Sequence, residues 1–208
     1  MNAATSSTPT SSRSRSAARG PRPAARLLKA AGPLKGSRLL ATGATDGVGQ
    51  FLVQLAVAGG AHITVVAREE DPWAYLVQAG ATVVHDVYSL PAAGFDVVLE
   101  SVGGAVGSAA ATRLREGGLF LWYGQAGGAP LTLDFFRLFD GGTALTLQHF
   151  VYMGRSDDRD DLDSLLELAA AGALQVEIGH RGSWEETATV LDALAAGRLR
   201  GKAVLPVS

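Results

Sequence analysis

The chain has 208 residues, enough for one domain or a domain and a fragment, and its 47% hydrophobic content can fill a core. A net charge of −2 excludes a global pull toward nucleic acid or anionic membrane. Cysteine is absent, which excludes disulfides, cysteine nucleophiles and thiolate zinc sites, and no apolar run is long enough to span a membrane, so a soluble protein is expected.

Residues 1–24 read as a disordered leader, rich in Ser, Thr, Ala, Pro and Arg and nearly free of large apolar side chains. Arg13, Arg15, Arg19, Arg22 and Arg26 accumulate before Asp46, the first acid. That pattern fits an unstructured tail or, as the alternative, an organelle transit peptide. A cytoplasmic location is otherwise expected. From residue 25 the pattern turns globular. Arg26–Ala31 is a short helix stopped by Gly32-Pro33, and Arg38–Thr42 is a first strand. Val48, Leu52, Leu55 and Ala56 share one face of a helix that ends at Gly59-Gly60. His62–Ala67 is a second, almost wholly apolar strand, as a sheet covered on both faces requires. Asp71-Pro72 reads as the N-cap and first turn of a helix running to Gly80. Ala81–Val84 and Phe95–Leu99 are strands, a helix spans 106–115, and Gly117-Gly118 closes it before a strand at Leu119–Tyr123. A sixth strand covers Ala144–Phe150. The alternation predicts an α/β fold, a doubly wound parallel sheet of the Rossmann type with helices on both faces, over residues 25–155.

Between the first strand and its helix, Gly43, Gly47 and Gly49 break the chain. Such a turn aims backbone N–H groups and the positive end of a helix dipole at one spot, where a phosphate commonly sits. The spacing is G-x-x-x-G-x-G, not the strict G-x-G-x-x-G. A glycine trio alone is weak, since plain strand–turn–helix connections also use glycine. The strand before it, the helix after it and the next apolar run strengthen it. Thr42, Gly43, Thr45, Asp46, Gly47, Val48 and Gly49 are therefore expected to bind a dinucleotide. At the end of the second strand an acid would grip ribose hydroxyls and mark NAD. Here stand Ala67, which leaves space, and Arg68, whose planar fork suits a 2′-phosphate. Glu69 and Glu70 follow and either could take the acid's place, but NADP(H) is the expected cofactor over NAD(H).

Five stretches together resemble the medium-chain dehydrogenase/reductase superfamily, on its zinc-binding dehydrogenase-like, quinone oxidoreductase branch. They are Gly43–Gln50, Gln78–Ala81, Phe95–Gly104, Gly117-Gly118 with Tyr123-Gly124, and Gly201–Leu205. The resemblance covers about Ala31 to Val207 and concerns the cofactor-binding half. It implies NADPH binding and hydride transfer to a quinone or conjugated carbonyl. It places Ser101, Val102 and Gly103 beside the ribose and nicotinamide, Tyr123, Gly124 and Gln125 along the nicotinamide, and Lys202 near the pyrophosphate.

Three departures stand out. The family usually has glycine at Asp46, and a carboxylate there would repel pyrophosphate by about 1 kcal/mol or more unless it turned away. Glu100 stands where the family commonly has Asp. The β-rich catalytic domain that begins family members is replaced by the leader, so a truncated form is expected, with no catalytic residue assigned. Residues 156–208 are expected to hold a helix at Asp160–Ala171, a strand at Leu174–Ile178, a capping box at Ser183–Glu186 opening a second helix, and a strand at Lys202–Val207. In the family the two strand segments return to the catalytic domain, which leaves their edges uncovered or paired with each other.

No zinc and no other metal is expected, because His62, His85, His149 and His180 are scattered. Thr42–Gly49 also fits the short-chain dehydrogenase turn T-G-x-x-x-G-x-G. That family needs Tyr-x-x-x-Lys, and Tyr75, Tyr88, Tyr123 and Tyr152 each lack a Lys four residues on. Two functions remain: an NADPH-dependent oxidoreductase of a small-molecule substrate, or a non-catalytic NADP(H)-binding module or remnant. Neither involves nucleic acid or membrane. In the strand at 144–150, Thr146 and Gln148 share one face and Leu145 and Leu147 the other, which predicts a sheet edge and a homodimer through it.

Overall fold

The computed structural model describes residues 20–140, 144–152, 158–176, 178–196, 198–199 and 201–207. Most of the expected leader lies outside them. Its last residues are helical: α1 (Pro21–Ala31) starts earlier than expected, with proline in its first turn, and buries Pro23, Ala24, Leu27 and Leu28. Then come β1 (Arg38–Thr42), α2 (Gly49–Ala58), β2 (His62–Val66), α3 (Ala74–Gln78), β3 (Thr82–Val84), β4 (Phe95–Glu100), α4 (Gly104–Ala111), β5 (Leu114–Trp122), α5 (Phe135–Asp140) and β6 (Leu145–His149). The C-terminal part holds α6 (Asp158–Ala170), β7 (Ile178–Arg181), α7 (Thr187–Ala195) and β8 (Lys202–Val204).

The main sheet is six-stranded and parallel, in the order β3-β2-β1-β4-β5-β6. Its two faces feed two cores, because successive strand side chains point to opposite sides. Leu39, Ala41, Ile63, Val65, Val97, Leu99 and Leu121 face α1 and α2. Leu40, Val66, Val98 and Phe120 face the alanines of α4. The expected doubly wound fold is therefore present, and β6 lies at a sheet edge.

Some boundaries differ for physical reasons. The fourth helix ends at Ala111 rather than at 115, because the Arg113 carbonyl accepts the Phe95 N–H at 3.1 Å and draws that segment into the sheet. Gly117, with φ of 71°, lies inside β5 instead of closing a helix. Asp71 caps no helix; its carboxylate takes the Arg68 N–H and guanidinium. The strand expected at 174–178 lies at Ile178–Arg181, since Leu174 turns into the core while its N–H closes the end of α6 on Leu168.

Residues beyond 157 pack back on the sheet domain. Leu165 and Leu174 enter the α1–α2 core. Gln54 and Gln175 exchange two hydrogen bonds, at 3.0 and 2.6 Å. β7 and β8 pair with each other in parallel, which covers one edge of each. The Ser183–Glu186 capping box is present, and it opens a 3-10 turn that leads into α7. Among the described residues no helix is long and apolar enough to cross a membrane.

Candidate functional site

β1 and β4 are neighbours, while the chain leaves β1 towards β2 on the other side. This is the point where strand order reverses, and in open α/β sheets ligands bind beyond the carboxyl ends of the strands there. Three segments meet at that point.

The first is the turn after β1. Gly43 has φ of 67°, and a β-carbon on it would come 2.5 Å from the Ser101 hydroxyl. A β-carbon on Gly49 would overlap the Ala44 backbone, so only glycine lets α2 start this close to β1. Asp46 folds over the start of α2: its Oδ1 accepts the N–H of Val48 at 2.9 Å and of Gly49 at 2.7 Å. This is the capping role that Asp plays at helix starts. Lys202, arriving on β8, donates from Nζ to the Gly47 carbonyl at 2.9 Å and lies 5.7 Å from the Phe51 ring centre. Burial pulls the Lys202 ammonium down from its ordinary value, and the charge of Asp46 opposes that pull.

The second segment follows β4. Glu100 is fully buried. Its Oε1 accepts the Thr42 hydroxyl at 3.1 Å and the N–H groups of Val102 and Gly103, both at 2.7 Å. Its Oε2 is buried without a hydrogen-bond partner among the described residues. Burial pushes the Glu100 carboxyl up, against the opposing pull of those three donors. Ser101 is tied to Thr42 twice, N–H to hydroxyl and hydroxyl to carbonyl, each at 3.0 Å. The ends of β1 and β4 are thus locked through Thr42, Glu100 and Ser101.

The third segment follows β5. Ala126 N–H and Gly127 N–H donate to the Ser101 and Val102 carbonyls at 2.7 and 2.9 Å, and Gly104 N–H donates to Ala129 at 3.1 Å. Gly124 lies against Ser101, where a β-carbon would come within 3.0 Å. Ser101, Val102 and Gly103 are therefore brought beside Tyr123, Gly124 and Gln125. Tyr123 points inward. Its hydroxyl is buried near Ser101 and Asp46 with no hydrogen bond of ordinary geometry among the described residues, and burial, then the Asp46 charge, pushes its proton affinity up. Its ring is half-buried against the core that also holds Ala44 and Val48 of the turn.

Ala67 and Arg68 lie at the end of β2. Arg68 is exposed, and its guanidinium reaches Asp71 at 2.5 Å and Glu70 at 3.1 Å. Asp71 also accepts from the Thr45 hydroxyl at 3.4 Å, so it bridges Arg68 to the glycine turn. Sequence pattern missed this link, because Asp71-Pro72 carries the same signature as a helix start. The anchoring role of Glu100 was also missed. Its signal was an acid directly after the apolar run Val97–Leu99. Among the described residues no group of three or more His, Cys, Asp or Glu could hold a metal ion.

A family model described as zinc-binding dehydrogenase matches residues 79–205. No curated protein matches the chain. Similar solved structures include a mycobacterial quinone oxidoreductase, 22% identical with a TM-score of 0.74, where the match covers 91% of this chain and 63% of the other. A mycobacterial protein complexed with NADPH is 23% identical, TM-score 0.70, covering 93% and 64%. A cobalt- and zinc-bound thermostable alcohol dehydrogenase from Pyrobaculum aerophilum is 25% identical, TM-score 0.70, covering 90% and 55%. The chain thus spans less than two thirds of the length of each of these structures, and at these identities the likeness speaks to the fold.

Proposed function

From the premise that this chain belongs to the zinc-binding dehydrogenase family, we propose that it is the cofactor-binding part of an oxidoreductase that binds NADP(H) and reduces a small quinone or conjugated carbonyl. The observation that carries this is the convergence of the glycine turn with the ends of β4 and β5 at the switch point of the sheet. The residues fit a dinucleotide. Gly43 and Gly49 leave no room for side chains where backbone must approach, Lys202 adds a positive charge at the turn, and Gly124 keeps the β5 end low against Ser101. At the glycine turn, Asp46 must yield.

The chemistry such a cofactor supplies is hydride donation, and the protein supplies position and electrostatics. Glu100 fixes the Val102 and Gly103 backbone, and the 124–129 loop pins the Ser101 and Val102 carbonyls from above. Both would hold the floor on which the nicotinamide and acceptor align.

Arg68 supports a 2′-phosphate, and the likeness to a protein complexed with NADPH supports the same choice. Asp71 and Glu70 compete for its guanidinium. Fluorescence titration with NADPH and NADH tests the choice. NADPH is expected to bind more tightly, and Arg68→Ala to weaken NADPH by about tenfold while leaving NADH unchanged, the scale of one lost charge-assisted pair. Equal loss for both would reassign Arg68 to a purely structural pair with Asp71. Saturable NADPH binding without turnover on any quinone or enone would favour the non-catalytic module.

A homodimer through residues 144–150 belongs to the same proposal. Among the described residues β6 has one unpaired edge, Phe135, Phe136 and Phe139 of the preceding α5 are strongly exposed, and Leu147 is exposed to a lesser degree. Covering them in a two-fold sheet removes both an unpaired edge and an apolar patch from water. Light scattering at micromolar concentration should give twice the chain mass, reverting to one chain mass in Leu147→Pro, which places a residue without an N–H in the edge strand. A monomeric wild-type chain would contradict it.

A further inference from the structure

The N–H groups of Val48 and Gly49 project from the start of α2, where an anion gains both their hydrogen bonds and the helix dipole. In this structure both N–H groups already end on an anion, the Asp46 carboxylate, at 2.9 and 2.7 Å. α2 is long enough for its dipole to matter, and Lys202 Nζ bonds to the Gly47 carbonyl on the same turn. The Asp46 side chain therefore holds the donors that a diphosphate at this turn would use. Both cannot hold them together, since each N–H has one hydrogen to give and two anions at one helix end repel.

We infer that Asp46 is an internal substitute for the cofactor's pyrophosphate, so that dinucleotide binding here is an exchange of one anion for another. The inference rests on the NADP(H) reading of this turn. The same contact has two consequences. Without ligand, Asp46 caps and stabilises the turn. With ligand, it must rotate away, so the wild-type chain binds more weakly than one with glycine at this position. The effect is the same for NADPH and NADH, because the pyrophosphate is common to both. That separates it from the action of Arg68.

The test uses the full chain and two variants, Asp46→Gly and Asp46→Asn, read by thermal melting and by NADPH fluorescence titration. Inorganic pyrophosphate serves as a probe that carries no nucleoside. Without ligand, Asp46→Gly should melt about 2–4 °C below wild type, the scale of one lost cap in a chain of this size. Millimolar pyrophosphate should raise the melting temperature of Asp46→Gly and leave wild type unmoved. NADPH should bind Asp46→Gly about tenfold more tightly than wild type, with Asp46→Asn between them, because it keeps an acceptor and loses the charge. Equal or weaker NADPH binding by Asp46→Gly would overturn the inference, placing Asp46 clear of the bound cofactor. Pyrophosphate rescue of Asp46→Gly with no NADPH binding by any chain would uphold the anion exchange and overturn the cofactor reading. No response to either ligand by any chain would overturn both.

Discussion

Gly49→Ala should lower stability by about 3 kcal/mol and remove dinucleotide binding. A single added methyl has this effect because of what it meets. A β-carbon at Gly49 would fall on the Cα, carbonyl carbon and carbonyl oxygen of Ala44, none of which can rotate aside. The conflict is one of space, since Gly49 does not have a positive φ. Relief requires α2 to move off β1, which opens the packing of buried Phe51, Leu52 and Val53 against the sheet. The same movement withdraws the Val48 and Gly49 N–H groups from the turn. Gly43→Ala is a useful contrast. It meets the Ser101 hydroxyl, a side-chain group that can turn at the loss of its bond to the Thr42 carbonyl, and the φ of 67° adds strain. Its expected cost is about 1–2 kcal/mol. Chemical denaturation of the two variants separates these cases, and a Gly49→Ala chain as stable as wild type would mean that the turn is looser than described.

Glu100→Ala should cost about 4 kcal/mol, read as a fall of roughly 10 °C in Tm. Removing the carboxylate strands the Thr42 hydroxyl and the Val102 and Gly103 N–H groups together. It also leaves a void beside Gly107, which lies against the Glu100 carboxyl. Glu100→Gln behaves differently. Its amide oxygen can accept the same donors, and no charge is left in the core. The sign of the pH effect follows from the raised carboxyl. An acid whose folded pKa lies above its unfolded value binds protons more readily in the folded state. Stability therefore falls as pH rises from the unfolded value, about 4.3, through the folded one, and stays lowered above it. Glu100→Gln lacks that fall, so its stability relative to wild type should be higher at pH 7 than at pH 4. Asp96 works in the opposite sense. Its burial is outweighed by the Arg38 N–H and the Arg115 guanidinium, which hold its carboxyl low, so its contribution is lost as pH falls. The comparison of the Glu100 variants at each pH cancels this common background.

The central strands were legible because β1, β2, β4 and β5 carry apolar residues for both cores, and β1 falls at Arg38–Thr42 as its pattern predicts. The glycine turn was legible because its residues are contiguous. Less visible were features that depend on partners distant in the chain. Pairing of Arg113 with Phe95 cannot be seen from the helical pattern before it. The segment Phe135–Asp140 offered no polar stripe to mark a helix. Its signal was Asp134, whose Oδ1 accepts the N–H groups of Phe136 and Arg137. The placement of Lys202 against Gly47 was legible only through family resemblance, since 155 residues separate them. For Asp46 the sequence exposed a charge in the wrong place. Only the folded turn reveals that the charge has found the helix start and bonded to it.

The most direct measurement is a crystal structure of the chain with NADP⁺. Pyrophosphate oxygens should lie within hydrogen-bond distance of the Val48 and Gly49 N–H groups. The Asp46 carboxylate should be turned away from them, and the nicotinamide should lie beside Ser101–Gly103 and Gly124. A dinucleotide bound elsewhere on the chain, or a turn in which Asp46 keeps both N–H groups at saturating cofactor, would contradict this.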